Sequence, residues 1–166
     1  TGIADPDRAA KALAAVRERL IKPYGALLLT PAYKSVDPYI GYITRYAPGL
    51  RENGGVYSHA STWAVIAFAM AGDAETAASV FESMLPSARS GENAELYAAE
   101  PYVMPGNVDG PDSLFESRAG WTWYTGSSGW MQRVATEWLM GVRATFKGLV
   151  VSPCLPERWC PCSLVR

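Results

Sequence analysis

Arg118-Ala-Gly-Trp-Thr-Trp-Tyr-Thr-Gly-Ser-Ser-Gly-Trp130 runs straight into an apolar helical pattern from Met131 to Val142. Backbone N–H groups at a helix start lack intrahelical partners and lie at the positive end of the dipole, so a Thr-Gly-Ser-Ser-Gly turn in that place suits an anion. Trp121, Trp123 and Tyr124 bring flat apolar faces with polar edges, a surface on which a sugar ring can stack. Anion and sugar side by side point to chemistry between a carbohydrate and phosphate. A helix capped by Ser127 or Ser128, with aromatics filling a core, fits the same residues.

Upstream, Ser58 to Gly72 contains the run Trp63-Ala-Val-Ile-Ala-Phe-Ala-Met-Ala71, apolar on all sides, and predicts a helix buried all round. Gly72-Asp73 ends it and caps a second helix, whose one-sided stripe of Ala77, Val80, Phe81, Met84 and Leu85 runs to Pro86. A buried helix joined to an amphipathic one by a tight turn is an αα-hairpin, the unit of an α/α barrel. At the front of the chain, Asp5-Pro6-Asp7 is a helix start, and Ala9, Leu13, Val16 and Leu20 form one face that ends near Lys22-Pro23.

Residues 23–57 are broken by glycine and proline and carry six tyrosines, from Tyr24 to Tyr57. They read as an ordered loop layer over a cleft, with a short strand at 26–29. Residues 87–117 are again rich in breakers, with a turn of helix at 93–99. The segment from Lys147 to Pro153 reads as a short strand after a turn, and the tail 160–166 carries no assigned pattern. The fold expected is mainly α, with this short β segment near the C-terminus.

With 166 residues the chain can bury a core as one domain or part of a larger one. A net charge of −1, with 19 % charged residues, argues against nucleic acid or an anionic membrane as partner. No apolar run is long enough to span a bilayer, and no signal segment opens the chain. Cys154, Cys160 and Cys162 are odd in number, clustered at one end and without a nearby histidine, so neither a disulfide framework nor a zinc site is expected. A reducing cytoplasm is the expected setting.

Five blocks occur in a fixed order: Arg51-Glu-Asn-Gly-Gly-Val-Tyr-Ser-His59, Glu100-Pro-Tyr-Val103, Gly120-Trp-Thr-Trp-Tyr-Thr-Gly-Ser127, Leu139-Met-Gly-Val-Arg143 and Pro153-Cys-Leu-Pro-Glu-Arg-Trp159. Across residues 1–159 the series resembles the C-terminal part of the catalytic domain of glycoside hydrolase family 94. That family comprises the inverting disaccharide phosphorylases and the phosphorylase-like domain of cyclic β-1,2-glucan synthases. The resemblance implies the last portion of an (α/α)6 barrel. It also implies attack of inorganic phosphate on the anomeric carbon of a β-glucoside, giving an α-sugar 1-phosphate. One carboxylic acid protonates the leaving oxygen and phosphate is the nucleophile, so no second carboxylate and no cofactor is needed.

Residue by residue, the resemblance places His59, Thr125 and Gly126 on phosphate, and Arg51, Glu52, Trp123 and Tyr124 near sugar. Gly54 and Gly55 are expected to let backbone approach a ligand, and Glu100 to orient the shell. The family's phosphate-holding glutamine is replaced by Gly106, with Asn107 expected to compensate. The general-acid aspartate lies in a Trp/Asp/Asn-rich motif that these residues lack, and Asp109, Asp112, Glu116 and Glu137 are not in its context. No catalytic residue is therefore assigned to this chain, and the isolated chain is expected to be inactive. Homodimers are common in the family. A hydrolase of another α/α-barrel family and a non-catalytic sugar-binding helical module are the alternatives.

Overall fold

The computed structural model describes residues 2–161; the end of the tail, including Cys162, lies outside the described residues. Asp5 caps the first helix as its type and place require, accepting from Arg8 N–H at 2.9 Å, with Pro6 in the first helical turn. This helix, α1 (Pro6–Ala15), widens into a π-helical turn over Val16–Leu20. Its face of Ala9, Leu13, Val16 and Leu20 is half-buried. The chain then forms a tiny hairpin, β1 (Ile21–Lys22) with β2 (Gly25–Ala26), rather than a strand over 26–29. Pro23 lies in its turn, where a missing N–H costs nothing. Residues 27–55 are the expected loop layer, interrupted by a 3-10 turn over Tyr42–Arg45.

The αα-hairpin is present as α2 (Ser58–Met70) packed on α3 (Ala74–Ser83). Val65, Phe68, Ala77, Val80 and Met84 meet in its core, joined by Met131, Val134 and Leu139 from the C-terminal helix. Burial of α2 is not complete, however: Trp63 is 53 % and Met70 52 % exposed. The α3 side and the C-terminal helix cover the face of Ser61, Thr62, Val65 and Phe68, and no described element covers Met70 in the same way. An apolar run states that a helix avoids water; it does not state which neighbours provide the cover.

Asp73 caps α3 by accepting from Thr76 N–H at 3.1 Å, and its carboxylate also pairs with Arg17 of the first helix. Burial pushes the Asp73 carboxyl up, but the Thr76 hydroxyl and N–H and the Arg17 guanidinium outweigh it and hold its pKa below the ordinary carboxylate value. A depressed folded-state pKa adds stability above the unfolded pKa, and that stability is lost as pH falls through the folded value. Asp73→Ala is therefore expected to cost about 1 kcal/mol at neutral pH, with the gap to the parent shrinking as pH drops below about 4. Chemical denaturation at both pH values checks this; an equal gap at both would remove the electrostatic part.

Pro86 does not stop helical structure but opens it: it is the first residue of α4 (Pro86–Tyr97), where proline's fixed φ is favourable. Asn93 breaks α4 with extended dihedrals, and its side chain accepts from Leu96 N–H at 3.0 Å, capping the second piece. The C-terminal helix also starts earlier than its serines suggest. α5 (Thr125–Arg133) follows directly from Tyr124, and neither Ser127 nor Ser128 is its cap. Their hydroxyls donate back to the carbonyl of Tyr124, at 3.2 and 3.4 Å. α5 continues as a π-helical turn over Val134–Leu139, and Val142 already belongs to a strand.

Strands β4 (Asn107–Val108) and β5 (Ala119–Gly120) join β3 (Val56–Tyr57) in an antiparallel sheet of order β3-β4-β5. Val56, Val108 and Ala119 of this sheet form a second core with Tyr24, Leu27 and Tyr97. The expected C-terminal strand is present as β7 (Gly148–Val151), paired with β6 (Val142–Thr145). Beyond it, Arg158 pairs with Glu75 and Glu82 of α3, and Trp159 Nε1 donates to Glu82 at 2.7 Å. Cys154 and Cys160 are free thiols.

Candidate functional site

Six residues of sheet bring three distant loops to one place. β3 leads within two residues to His59, β4 follows Pro105-Gly106, and β5 leads directly to Trp121. Ser58 N–H donates to Gly106 O at 3.0 Å, Gly106 N–H to Trp121 O at 2.9 Å, and Tyr124 N–H to Met104 O at 3.1 Å. The first residues of α2 and α5 are thus set side by side. Tyr57 and Tyr124, each the residue before a helix, meet hydroxyl to hydroxyl at 3.4 Å.

Two helix N-termini placed together concentrate positive potential and unpaired N–H groups, which an anion relieves. Thr125 and Gly126 are the first two residues of α5 and are exposed. His59 lies in the first turn of α2, stacked on Trp130 with ring centroids 5.4 Å apart and edge-on to Trp63. Its Nε2 is shielded from solvent and has no hydrogen-bond partner among the described residues. The Tyr57 pKa is pushed up to about 12 by its bond to Tyr124 and then by burial, so at neutral pH it stays a hydroxyl.

Arg51 is tied to β4 through its N–H, which donates to Asn107 Oδ1. Its guanidinium lies 3.8 Å from the centre of the Trp121 ring and 4.5 Å from that of Tyr46. Nε stands 3.4 Å from Glu52 Oε2 without the alignment of a hydrogen bond. Shielded side-chain polar atoms without a partner are rare in folded proteins. Three of the five shielded atoms without a hydrogen bond among the described residues are His59 Nε2, Arg51 Nε and Glu52 Oε2, and the last two face each other as an ion pair. Trp121 and Trp123 both hold positive φ, at 53° and 63°, a conformation costly for bulky residues and concentrated at functional sites.

Other expected contributors have structural duties. Asn107, expected to compensate for the missing glutamine, is buried and engaged within the protein, with Oδ1 accepting from Arg51 N–H at 2.6 Å and Nδ2 donating to Asp109 Oδ1 at 2.8 Å. Gly54 and Gly55 press on protein rather than on an open cleft. A Cβ on Gly55 would lie 2.7 Å from both Arg51 N and Asn107 Oδ1, and one on Gly54 would lie 2.8 Å from Ala32 Cβ. Ser127 is fully buried and its hydroxyl is taken by carbonyls. Glu100 does orient an aromatic, accepting from Trp123 Nε1 at 3.0 Å. Each of the four carboxylates outside the acid motif's context accepts a hydrogen bond. Asp109 is held by Asn107 and Ser113, Asp112 by Ala32 N–H, Glu116 by the Tyr24 hydroxyl and Glu137 by Arg133.

The profile of the Glycosyl hydrolase 94 superfamily, catalytic domain, matches residues 1–141. The chain belongs to that family. Among its family 94 relatives is the cyclic beta-(1,2)-glucan synthase NdvB of Rhizobium meliloti (strain 1021), 41 % identical over 163 residues, 96 % of this chain and 6 % of the relative. An N,N'-diacetylchitobiose phosphorylase of Vibrio furnissii is 36 % identical over 96 % of the chain and 20 % of its own length. The solabiose phosphorylase of Paenibacillus borealis is 32 % identical over the whole chain and 22 % of its own length. The chain thus spans about a fifth or less of these curated relatives. In this family 94 chain, the motif's asparagine and glycines build the loop, its arginine and glutamate form an ion pair, and its histidine Nε2 is left without a hydrogen bond among the described residues.

Proposed function

We propose that this chain is the C-terminal portion of an (α/α)6-barrel catalytic domain, the part that holds phosphate in an inverting glycoside phosphorylase. His59, Thr125 and Gly126 take the phosphate; Arg51, Glu52, Trp123 and Tyr124 meet sugar. The observation that carries this reading is the paired start of α2 and α5, with the unpartnered His59 Nε2 in the first turn of α2.

The chemistry follows from those parts. Phosphate, held between two helix N-termini, attacks the anomeric carbon of a β-linked glucosyl residue from the face opposite the leaving oxygen. The new C–O bond forms as the glycosidic bond breaks, and an acid outside this chain gives the leaving oxygen its proton, yielding α-sugar 1-phosphate. The His59 N–H, the Thr125 hydroxyl and the Gly126 backbone N–H supply donors to the incoming anion. The engaged state of Asp109, Asp112, Glu116 and Glu137 supports placing the acid elsewhere. No cofactor is required, and a cytoplasmic homodimer belongs to the same proposal.

The test is phosphate release from α-glucose 1-phosphate with a panel of β-glucoside acceptors, including β-1,2-linked glucose oligosaccharides, on the longest natural polypeptide containing these residues. Acceptor-dependent release supports the reading. Free sugar formed without phosphate uptake would instead make the protein a hydrolase, and sugar binding indifferent to phosphate would make it a binding module. The isolated 166-residue chain is expected to show at most about 10⁻² of the activity, because a missing general acid alone costs on the order of 10²–10⁴.

A further inference from the structure

Segments 102–108 and 119–124 run antiparallel; the sheet's register holds to the bond from Gly106 N–H to Trp121 O and slips by one residue at the bond from Tyr124 N–H to Met104 O. At the end of this ribbon farthest from Asp109, Trp123 and Tyr102 stand together, 64 % and 74 % exposed. Their rings meet edge to face, with centroids 6.1 Å apart at 74°. Edge-to-face contact steadies a ring without covering both its faces. The indole N–H is bound by Glu100 at 3.0 Å, which fixes the remaining rotation of the ring. The Glu100 carboxyl is held below the usual carboxylate range by its own backbone N–H and then by this indole, so it stays an acceptor at neutral pH.

Trp121 differs from it. One face of that ring is occupied by the Arg51 guanidinium. The ring and hydrogen-bond partners of Trp123 are Tyr102 and Glu100, not Arg51, Tyr57 or His59. Within this chain, a large apolar ring is held at positive φ beside a carboxylate and left uncovered by the described elements. It does match a pyranose: apolar C–H face against the indole, hydroxyls toward the carboxylate and the tyrosine hydroxyl.

We infer that Trp123, fixed by Glu100 and buttressed by Tyr102, is a stacking platform for a glucosyl residue beyond the pair whose bond is broken, so that the site favours chains longer than a disaccharide. This rests on the phosphorylase reading for its place in the site.

Calorimetric binding of a β-1,2-linked glucose disaccharide and the corresponding pentasaccharide to the full natural polypeptide tests it, in parent, Trp123→Ala, Trp123→Phe and Glu100→Gln forms. The parent is expected to bind the pentasaccharide about tenfold more tightly than the disaccharide. Trp123→Ala should abolish that ratio, Trp123→Phe should keep part of it, and Glu100→Gln should reduce it. No length preference in the parent, or a ratio unchanged in Trp123→Ala, would overturn the platform. Sugar-phosphate formation is assayed separately: its absence alongside a Trp123-dependent length preference would sink the phosphorylase reading and leave the platform standing.

Discussion

Replacing His59 with alanine is expected to lower kcat/KM for phosphate by about 10²–10³ in the full natural polypeptide, the loss typical of one preorganised donor to developing charge. The size follows from the setting. His59 stands in the first turn of α2, its ring fixed by Trp130 and Trp63, and its Nε2 has no partner among the described residues. A donor held in place before the anion arrives needs no reorganisation at the moment of reaction, so its removal acts on the rate and not only on binding. His59→Gln, which returns an N–H at similar reach on a flexible, uncharged arm, should recover part of the loss. Melting temperatures of both variants separate lost stacking on Trp130 from lost chemistry. If phosphate kinetics stayed within threefold of the parent, His59 would be a packing residue and the anion would lie elsewhere.

The largest effect on stability is expected at Asn53, which no ligand needs to touch. Its side chain accepts from Tyr33 N–H at 2.7 Å and donates to Tyr33 O at 2.9 Å and Tyr46 O at 2.8 Å, all from a fully buried position. Asn53→Ala strips the partners from three backbone groups at once, each costing about 1–3 kcal/mol when left unsatisfied, so a loss of about 3–5 kcal/mol is expected. Asn53→Asp is no remedy, because two of the three contacts need donors. Denaturant unfolding measures the loss directly. A change below about 1 kcal/mol would show that water replaces the amide and that the loop does not depend on it. Activity should fall with stability, since Arg51 hangs on the same turn.

The sequence reading succeeded where composition alone forces a structure. The apolar stretch 63–71 is helix as read, with Val65 and Phe68 in the core though Trp63 and Met70 are exposed, and Gly72-Asp73 has few uses other than ending one helix and capping the next. It failed where a residue has two physical uses. Pro86 suits a helix start as well as a stop, and Ser127 can cap or can fold back on a carbonyl. Asn53, Asn107, Gly54 and Gly55 sit among site residues and are needed for the architecture that presents them. The three strands that assemble the site were invisible, because two residues carry no period. Nothing in the chain announced that Tyr57 and Tyr124 would meet, since that contact depends on those strands.

Six strand residues have a consequence for the order in which the molecule matures. The bond from Arg51 N–H to Asn107 closes a gap of 56 positions, and β4 cannot pair with β3 until that loop is closed. Such contacts reward the chain only after their entropy has been lost, so they form late, whereas α2 and α3, neighbours along the chain, can dock early. Helical content should therefore appear before phosphate affinity during refolding. Any species caught in between would look folded by circular dichroism and yet bind nothing.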